Sequence, residues 1–322
     1  MSMPKVSILI PVFNRKDYIT ECIQSALDQT FTDFEVVVVD NASDDGTWEI
    51  CQQFAVGDRR VRIFRNVENI GPVLNWQRCI DEANGEFGKI LFSDDLIESN
   101  FLEKTVPMLE NPKIGFVFTQ TSHGVEINNI KRYDKYMNKT CEISSKLFIE
   151  SILFKGLNPG TPGCAIYRMK DLRLNIVKKI PSPSIKDFLD HGAGTDLLIT
   201  LLCSKNYEYV SYLNEPLSFF RSHSNSISVT FGPARRDLVE CYNQAKIYFC
   251  ENYTSAALQN KTYAYIWLDS LKRKRKWISI NDTLKRVSFE CHSINISFID
   301  ILNAGYELIF NLIKNKYYKI NK

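Results

Sequence analysis

Apolar positions in the first third of the chain keep two alternating rhythms. Continuous runs such as Val6 to Val12 and "FEVVVVD" (Phe34 to Asp40) give way to stretches where apolar residues recur every three or four positions. The runs are rich in β-branched residues and read as strands covered on both faces. The stretch Tyr18/Ile19, Cys22/Ile23, Ala26/Leu27 lays one apolar stripe along a helix. A second helix runs through Trp48, Cys51 and Phe54, with Asp44 or Asp45 as its N-cap. "VRIF" is a third strand. A third helix opens near Pro72, a residue suited to a first helical position, and ends near Gly85. "GKILF" is the fourth strand and "IGFVFT" the fifth. This alternation predicts a doubly wound, mostly parallel α/β sheet with helices on both faces.

In such a sheet the carboxyl ends of the strands share one edge, and ligands bind outside it. The first strand ends at Pro11-Val12-Phe13-Asn14 and the second at "DNASDDGT", Asp40 to Thr47. The third runs into "NVENIG", Asn66 to Gly71, and the fourth into Ser93-Asp94-Asp95. Consecutive strand ends therefore bring Asn, Asp and Gly groups, Asn69 among them, to one rim. An isolated Asp-Asp pair is ordinarily a solvated loop start, but a shared rim gives Asp94 and Asp95 a second use. Carboxylate oxygens are what Mg²⁺ or Mn²⁺ prefers, and one or two of them plus substrate phosphates commonly hold such an ion. Asp40 is placed to accept a hydrogen bond from the N–H of a base such as uracil. Neither a GxGxxG after the first strand nor a GxxxxGK[ST] occurs, which disfavours a dinucleotide oxidoreductase and a P-loop enzyme.

The pattern loosens from about Asn111. A helix from Ser144 to Phe154 leads into "GLNPGTPGCAIYR", a Gly/Pro-rich loop and short strand. The "NPGTPG" part, Asn158 to Gly163, reads either as backbone amides approaching a ligand or as a surface turn. A helix then opens at Asp196, a strand spans Tyr207 to Leu213, and "FFRSHSNSIS" is a polar loop. After about Pro233 the chain becomes helical, tyrosine-rich and basic, which divides it into residues 1–232 and a helical region 233–322.

The 322 residues suffice for one large domain with an appendage, and 44% apolar against 24% charged is an ordinary globular balance. A net charge of +3 points away from nucleic-acid binding. Nine scattered cysteines without a C-x-x-C fit a reducing compartment. With no secretory signal and no run long enough to span a bilayer, the expected location is cytoplasmic. Near the C-terminus, Asp300, Asn303, Glu307 and Asn311 form one polar helix face in the apolar stretch Ile296 to Ile313. Lys314, Lys316, Lys319, Lys322 and "LKRKRKW" (Leu271 to Trp277) are basic. Two readings stand for this tail: contact with anionic lipid at the inner face of a membrane, or packing on the rest of the chain or on a second copy.

Taken in order, "VSILIPVFNR", "VVVVDNASDDGT", "NIGPVLNWQRCIDEANGEF" and "FSDDL" resemble the inverting family 2 glycosyltransferases of the GT-A fold, over roughly residues 4 to 230. The resemblance implies a nucleotide-sugar donor, commonly a UDP-sugar, a divalent cation, and transfer to an acceptor hydroxyl. It implies that Pro11, Phe13 and Asn14 line the nucleoside pocket and that Asp40 meets the uracil. Asp94 then sits at the ribose-diphosphate end and Asp95 ligates the metal. Asn69 on the rim and Arg78 on the third helix are added as donor-side candidates. Asp196 takes the position of the base that accepts the hydroxyl proton; in isolation it reads as a helix-start carboxylate. Arg221 and His223 fall where related transferases carry an Arg-x-His segment, which implies Arg221 on the diphosphate and His223 on the metal. The chain departs from the family pattern at Phe92, Asn41 and Thr195, where carboxylates are common. A lipid-linked oligosaccharide acceptor in bacterial O-antigen or capsule synthesis, and a homo-oligomer, complete what is expected. The alternatives are a non-catalytic nucleotide-sugar-binding scaffold at the membrane and, further off, a nucleotidyltransferase.

Overall fold

The computed structural model describes residues 3–154, 161–180, 188–223, 236–274, 279–284 and 296–308. Strands β1 (Val6–Val12) and β2 (Phe34–Asp40) pair in parallel, Val6 opposite Phe34 and Val12 opposite Asp40. Their side chains alternate between two cores. Val36 and Val38 join Ile8 and Ile10 on one face, while Val37 and Val39 join Leu9 on the other. A strand covered on both faces has no polar side to show, hence the unbroken apolar run. These four valines of β2 are fully buried, and such burial contributes about 1.5–3 kcal/mol per side chain. β3 (Val61–Arg65) extends the sheet beyond β2, and β4 (Phe87–Ile90) extends it beyond β1, both in parallel.

Helices α1 (Ile19–Leu27), α2 (Thr47–Gly57) and α4 (Phe101–Leu109) cover the Ile8 face, and α3 (Pro72–Glu82) covers the Leu9 face. Of the two carboxylates expected to cap α2, Asp45 serves the helix start, accepting the Thr47 N–H (3.0 Å) and hydroxyl (2.6 Å). Asp44 bonds Asn14 instead.

Beyond β4 the sheet becomes mixed, in the order β3-β2-β1-β4-β9-β6-β10-β5. β9 (Ala165–Arg168) lies antiparallel between β4 and β6 (Ile114–Gly124). β10 (Tyr209–Arg221) runs parallel to β6, and the short β5 (Leu96–Ile97) closes the edge antiparallel to β10. β7 (Ile130–Asp134) pairs with β6, and β8 (Cys141–Ser144) with β10. The sequence pattern ends this last long strand at Leu213 and puts Phe219 to Arg221 in a loop. The strand in fact continues to Arg221, with Leu217, Ser218 and Phe219 buried. The polar Asn214-Glu215-Pro216 that hides the continuation is a register irregularity inside it.

The Leu9 core also holds α5 (Ser145–Leu153), α6 (Met169–Asn175), α7 (Phe188–His191) and α8 (Thr195–Ser204). The helices expected after residue 233 share it: Cys241, Ala245 and Phe249 of α9 (Arg236–Tyr253), and Ala264 and Tyr265 of α10 (Ala256–Lys274). After α11 (Ile280–Leu284), a helix α12 over 298–308 packs Ala304 inward. Of its polar residues Asn303 is exposed. Glu307 pairs with Lys261 (2.9 Å) and Asp300 bonds Ser297, whereas Phe298, Ile299, Leu302 and Tyr306 are exposed. Asn311, the four terminal lysines and residues 158–160, 224–228 and 275–277 lie outside the described residues. Among those described, no helix is long and apolar enough to cross a membrane.

Candidate active site

The loops following β1, β2 and β3 lie side by side because their backbones bond across. Asn41 N–H donates to the Val12 carbonyl and Asn66 N–H to the Asp40 carbonyl, each at 2.8 Å. They form one end of a cleft of about 1070 Å³. Pro11, Phe13, Asn69, Asp94, Asp95, Arg221 and Asp196 all line this cleft.

Asp40 lies behind the wall, with no exposed surface. Its Oδ2 accepts from Ser43 N–H (3.1 Å) and faces Arg65 Nε (3.2 Å), while the buried Oδ1 has no hydrogen-bond partner. A buried acceptor left unpaired is costly, so an oxygen of this kind is suited to a ligand's N–H. Beside it runs a chain of asparagines. Asn66 donates to Asn41 (2.8 Å) and Asn75 (2.9 Å), and Asn41 donates to Asn69 (2.7 Å). An aspartate at position 41 could not make that last donation, so Asn41 suits its own surroundings.

Besides Asp40, two more of the donor-side candidates are not on the cleft wall. Asn14, at φ 50°, clasps the loop after β2: its N–H donates to Ser43 (2.9 Å) and its amide exchanges bonds with Asp44 (2.9 and 3.1 Å). Arg78 is tied to the Arg65 carbonyl (3.0 Å), to the Asn66 amide oxygen and, at 3.7 Å, to Glu82. It braces the asparagine chain from outside.

At the cleft floor the adjacent carboxylates have different surroundings. Asp94 Oδ2 lies 2.8 Å from His223 Nε2 and 3.7 Å from Arg15 Nε. Burial would raise its pKa, but the His223 hydrogen bond and the Arg15 charge outweigh that and hold it low. Asp95 Oδ1 accepts the Arg221 N–H (2.9 Å). Burial, and then the Asp94 charge, push the Asp95 carboxyl well up. Lys89, fully buried nearby on β4, is pushed down to about 8 by its own burial and partly offsets this. Phe92 fills the place of a frequent family carboxylate and packs against Trp76 at 5.4 Å between ring centres.

Arg221 does not present a free fork. Its Nε donates to the Asp94 carbonyl (3.0 Å), its Nη2 pairs with Glu21, and the guanidinium lies 5.1 Å from the Tyr18 ring centre. Arg15, which the sequence reading passed over, lines the cleft and has a buried Nε without a hydrogen-bond partner. Its signal was its position, directly after the first strand end. His223 stacks on Tyr18 at 4.9 Å, and its Nδ1 is buried without a partner.

Across the cleft, Asp196 occupies the first turn of α8. Its Oδ1 accepts from the N–H groups of Gly194 (2.8 Å) and Leu197 (2.7 Å), and its Oδ2 from the Tyr242 hydroxyl (3.1 Å). Burial pushes its carboxyl up to about 6 against the pull of those donors. Thr195 is buried, its hydroxyl on the Val177 carbonyl (3.3 Å). Tyr242 and Leu238, both from α9, line the same cleft. Nothing in a tyrosine-rich helix singled out Tyr242.

Solved structures share this architecture. S. aureus TarS 1-349 in complex with UDP-GlcNAc superimposes with a TM-score of 0.63 over 93% of this chain and 79% of that one, at 21% identity. Among curated proteins, the putative teichuronic acid biosynthesis glycosyltransferase TuaG of Bacillus subtilis (strain 168) is 34% identical over 116 residues, 36% of this chain and 46% of that protein. The GalNAc(5)-diNAcBac-PP-undecaprenol beta-1,3-glucosyltransferase of Campylobacter jejuni subsp. jejuni serotype O:2 (strain ATCC 700819 / NCTC 11168) is 34% identical over 149 residues, 46% and 48% of the two chains. The chain thus spans less than half the length of each of these two relatives. Residues 7–174, from β1 into α6 and more than half of the sequence, match the family model described as "Glycosyl transferase family 2". The strands that bring Asp40, Asp94 and Asp95 to one rim are the matched ones, and the chain belongs to that family.

Proposed function

We propose that this protein is a metal-dependent, inverting glycosyltransferase. It moves a sugar from a UDP-sugar to a hydroxyl of a glycan acceptor, lipid-linked during bacterial surface-polysaccharide synthesis. The observation that carries the reading is the single cleft running from Pro11 and Phe13, over the Asp94-Asp95 pair, to the partly buried Asp196. A TarS structure that shares the fold holds UDP-GlcNAc, and a relative is named for an undecaprenol-linked acceptor; both support the choice of substrates.

In this reading the wall in front of Asp40 yields on binding, and the uracil N–H meets its unpaired Oδ1. The donor set at the cleft floor fits a divalent cation. With His223 Nε2–H on Asp94, Nδ1 is left as a buried, unpartnered lone pair, an arrangement typical of a metal-ligating imidazole backed by a carboxylate. Asp95 and His223 would hold Mn²⁺ or Mg²⁺, which when bound supplies positive charge for the departing diphosphate. Among the described residues no group of three or more His, Cys, Asp or Glu side chains forms a cage. These ions ordinarily complete their shells with substrate phosphates.

Asp196 takes the proton of the acceptor hydroxyl as its oxygen bonds the anomeric carbon from the side opposite the nucleotide. The bond from that carbon to the diphosphate breaks, and its electron pair leaves with UDP. An α-linked donor gives a β-linked product. Arg15, whose buried Nε has no hydrogen-bond partner and faces Asp94 at 3.7 Å, contributes charge there. Phe298, Ile299, Leu302 and Tyr306 on α12 form an apolar face suited to a membrane surface, beside a lysine-rich terminus in the sequence.

Calorimetry with UDP tests the donor site, in Mn²⁺ and in chelator, on wild type and Asp95→Ala. Metal-dependent UDP binding that the substitution removes is the expected result. UDP binding indifferent to both chelator and substitution would overturn the metal assignment.

A further inference from the structure

Asp196 reaches its cleft position through a turn between α7 and α8; Gly194 in that turn and Leu197 in α8 supply its two backbone hydrogen bonds. The third comes from far along the chain, the Tyr242 hydroxyl on α9. Tyr242 lies beyond the segment matched by the family. A carboxylate offers about four lone-pair positions. Two on Oδ1 are taken by the backbone and one on Oδ2 by Tyr242, which leaves a single position on Oδ2. Asp196 lines the cleft and is partly buried there.

We infer that Tyr242 is a positioning residue for the reaction: its hydroxyl fixes the Asp196 carboxylate so that the one remaining lone pair receives the acceptor hydroxyl. This rests on reading Asp196 as the base. A donor hydrogen bond also favours the ionised form, so Tyr242 keeps Asp196 competent at lower pH than burial alone would allow. Among the described residues, the other titratable groups around Asp196 are His191 and Asp190 on α7, which share the cleft wall, Tyr167 on β9 and Cys241 beside Tyr242. His191 Nδ1 accepts the Ala193 N–H (3.0 Å), so the neutral ring carries its proton on Nε2, which lies 3.8 Å from Cys241 Sγ. Tyr242 donates to the carboxylate itself.

The experiment is the pH dependence of transfer, from about pH 5 to about pH 9, in wild type, Tyr242→Phe and Leu238→Ala. Tyr242→Phe keeps the ring and removes only the hydroxyl. Its acid limb should move up by about one pH unit, the size expected for one hydrogen bond to a charged group. That corresponds to roughly fivefold slower transfer at about pH 6 and little change at about pH 8.5. Leu238→Ala, one turn away on the same cleft wall, should lower the rate evenly without moving the limb. UDP binding by calorimetry serves as the folding check for both.

An unmoved limb in Tyr242→Phe, or an equal shift in Leu238→Ala, would overturn the inference. Asp196→Asn separates this failure from that of the underlying reading. If that variant binds UDP and is inactive while Tyr242→Phe keeps the wild-type profile, the inference alone falls. If Asp196→Asn still transfers sugar, the base assignment falls and the inference with it.

Discussion

The two ends of the cleft are held in place by different means. At the end assigned above to the nucleotide, β1, β2 and β3 are sequential parallel strands, and their loops bond backbone to backbone at Asn41–Val12 and Asn66–Asp40. The asparagine chain adds side-chain ties that need no distant element. At the end assigned above to the acceptor, Asp196 depends on the turn Gly192 to Gly194, on the Leu197 N–H of its own helix and on a tyrosine 46 residues further along the chain. Sheet register fixes the first end many times over. The second rests on few contacts, so single changes there should travel further.

Gly194→Ala should show this most strongly. Gly194 adopts φ +98°, and a Cβ there would lie 1.9 Å from Phe188 Cε1. Such a backbone costs a non-glycine residue about 1–3 kcal/mol, and overpacking a buried ring costs a further 1–3 kcal/mol or so. A loss of about 3 kcal/mol, seen as a melting midpoint lower by roughly 5–10 °C, is the expected outcome. Transfer should fall with it, because the Gly194 N–H also holds Asp196. A thermal melt within about a degree of wild type would mean that the turn is more forgiving than its geometry.

Asp40→Asn probes the opposite end with a smaller change. The amide preserves shape and can still accept the Ser43 N–H through its oxygen. It then presents an NH₂ group where Asp40 Oδ1 now stands unpaired. A donor facing the uracil N–H should weaken UDP binding by on the order of tenfold to a hundredfold, while the melt changes less than for Gly194→Ala. Unchanged UDP affinity in calorimetry would remove the base contact from Asp40.

The same contrast sets how much the sequence could tell. The nucleotide end is made of local strand-helix units, and the rule that parallel strand ends share a rim brings Asp40, Asp94 and Asp95 to one place from the sequence alone. At the acceptor end, Asp196 was reached only through family resemblance, and Tyr242 was missed. No local period ties an α9 tyrosine to an α8 carboxylate; only packing in the common core does. The extension of β10 to Arg221 was hidden for a related reason, since a polar register irregularity looks like a loop end. A charge's partners are equally hard to read from its position. The family resemblance implies Arg221 on the diphosphate, yet its guanidinium is engaged by Glu21 and a carbonyl.

Arg78→Ala should have the smallest effect on function and bears most directly on the contrast. Its sequence position, on the helix after the third strand, suggested a hand on the donor. In the fold its Nη1 bonds the Arg65 carbonyl and the Asn66 side chain, outside the cleft lining. Losing those bonds should cost about 1 kcal/mol of stability and leave UDP affinity within about twofold. The reason is redundancy. Asn66 keeps its donations to Asn41 and Asn75, and Asn41 keeps the Ile70 N–H (3.0 Å) and its bond to Asn69. A tenfold loss of UDP affinity in calorimetry would show that the asparagine chain transmits a distant change to the pocket. The nucleotide end would then be as dependent on single contacts as the acceptor end, and the difference between the two would lie in sequence distance alone.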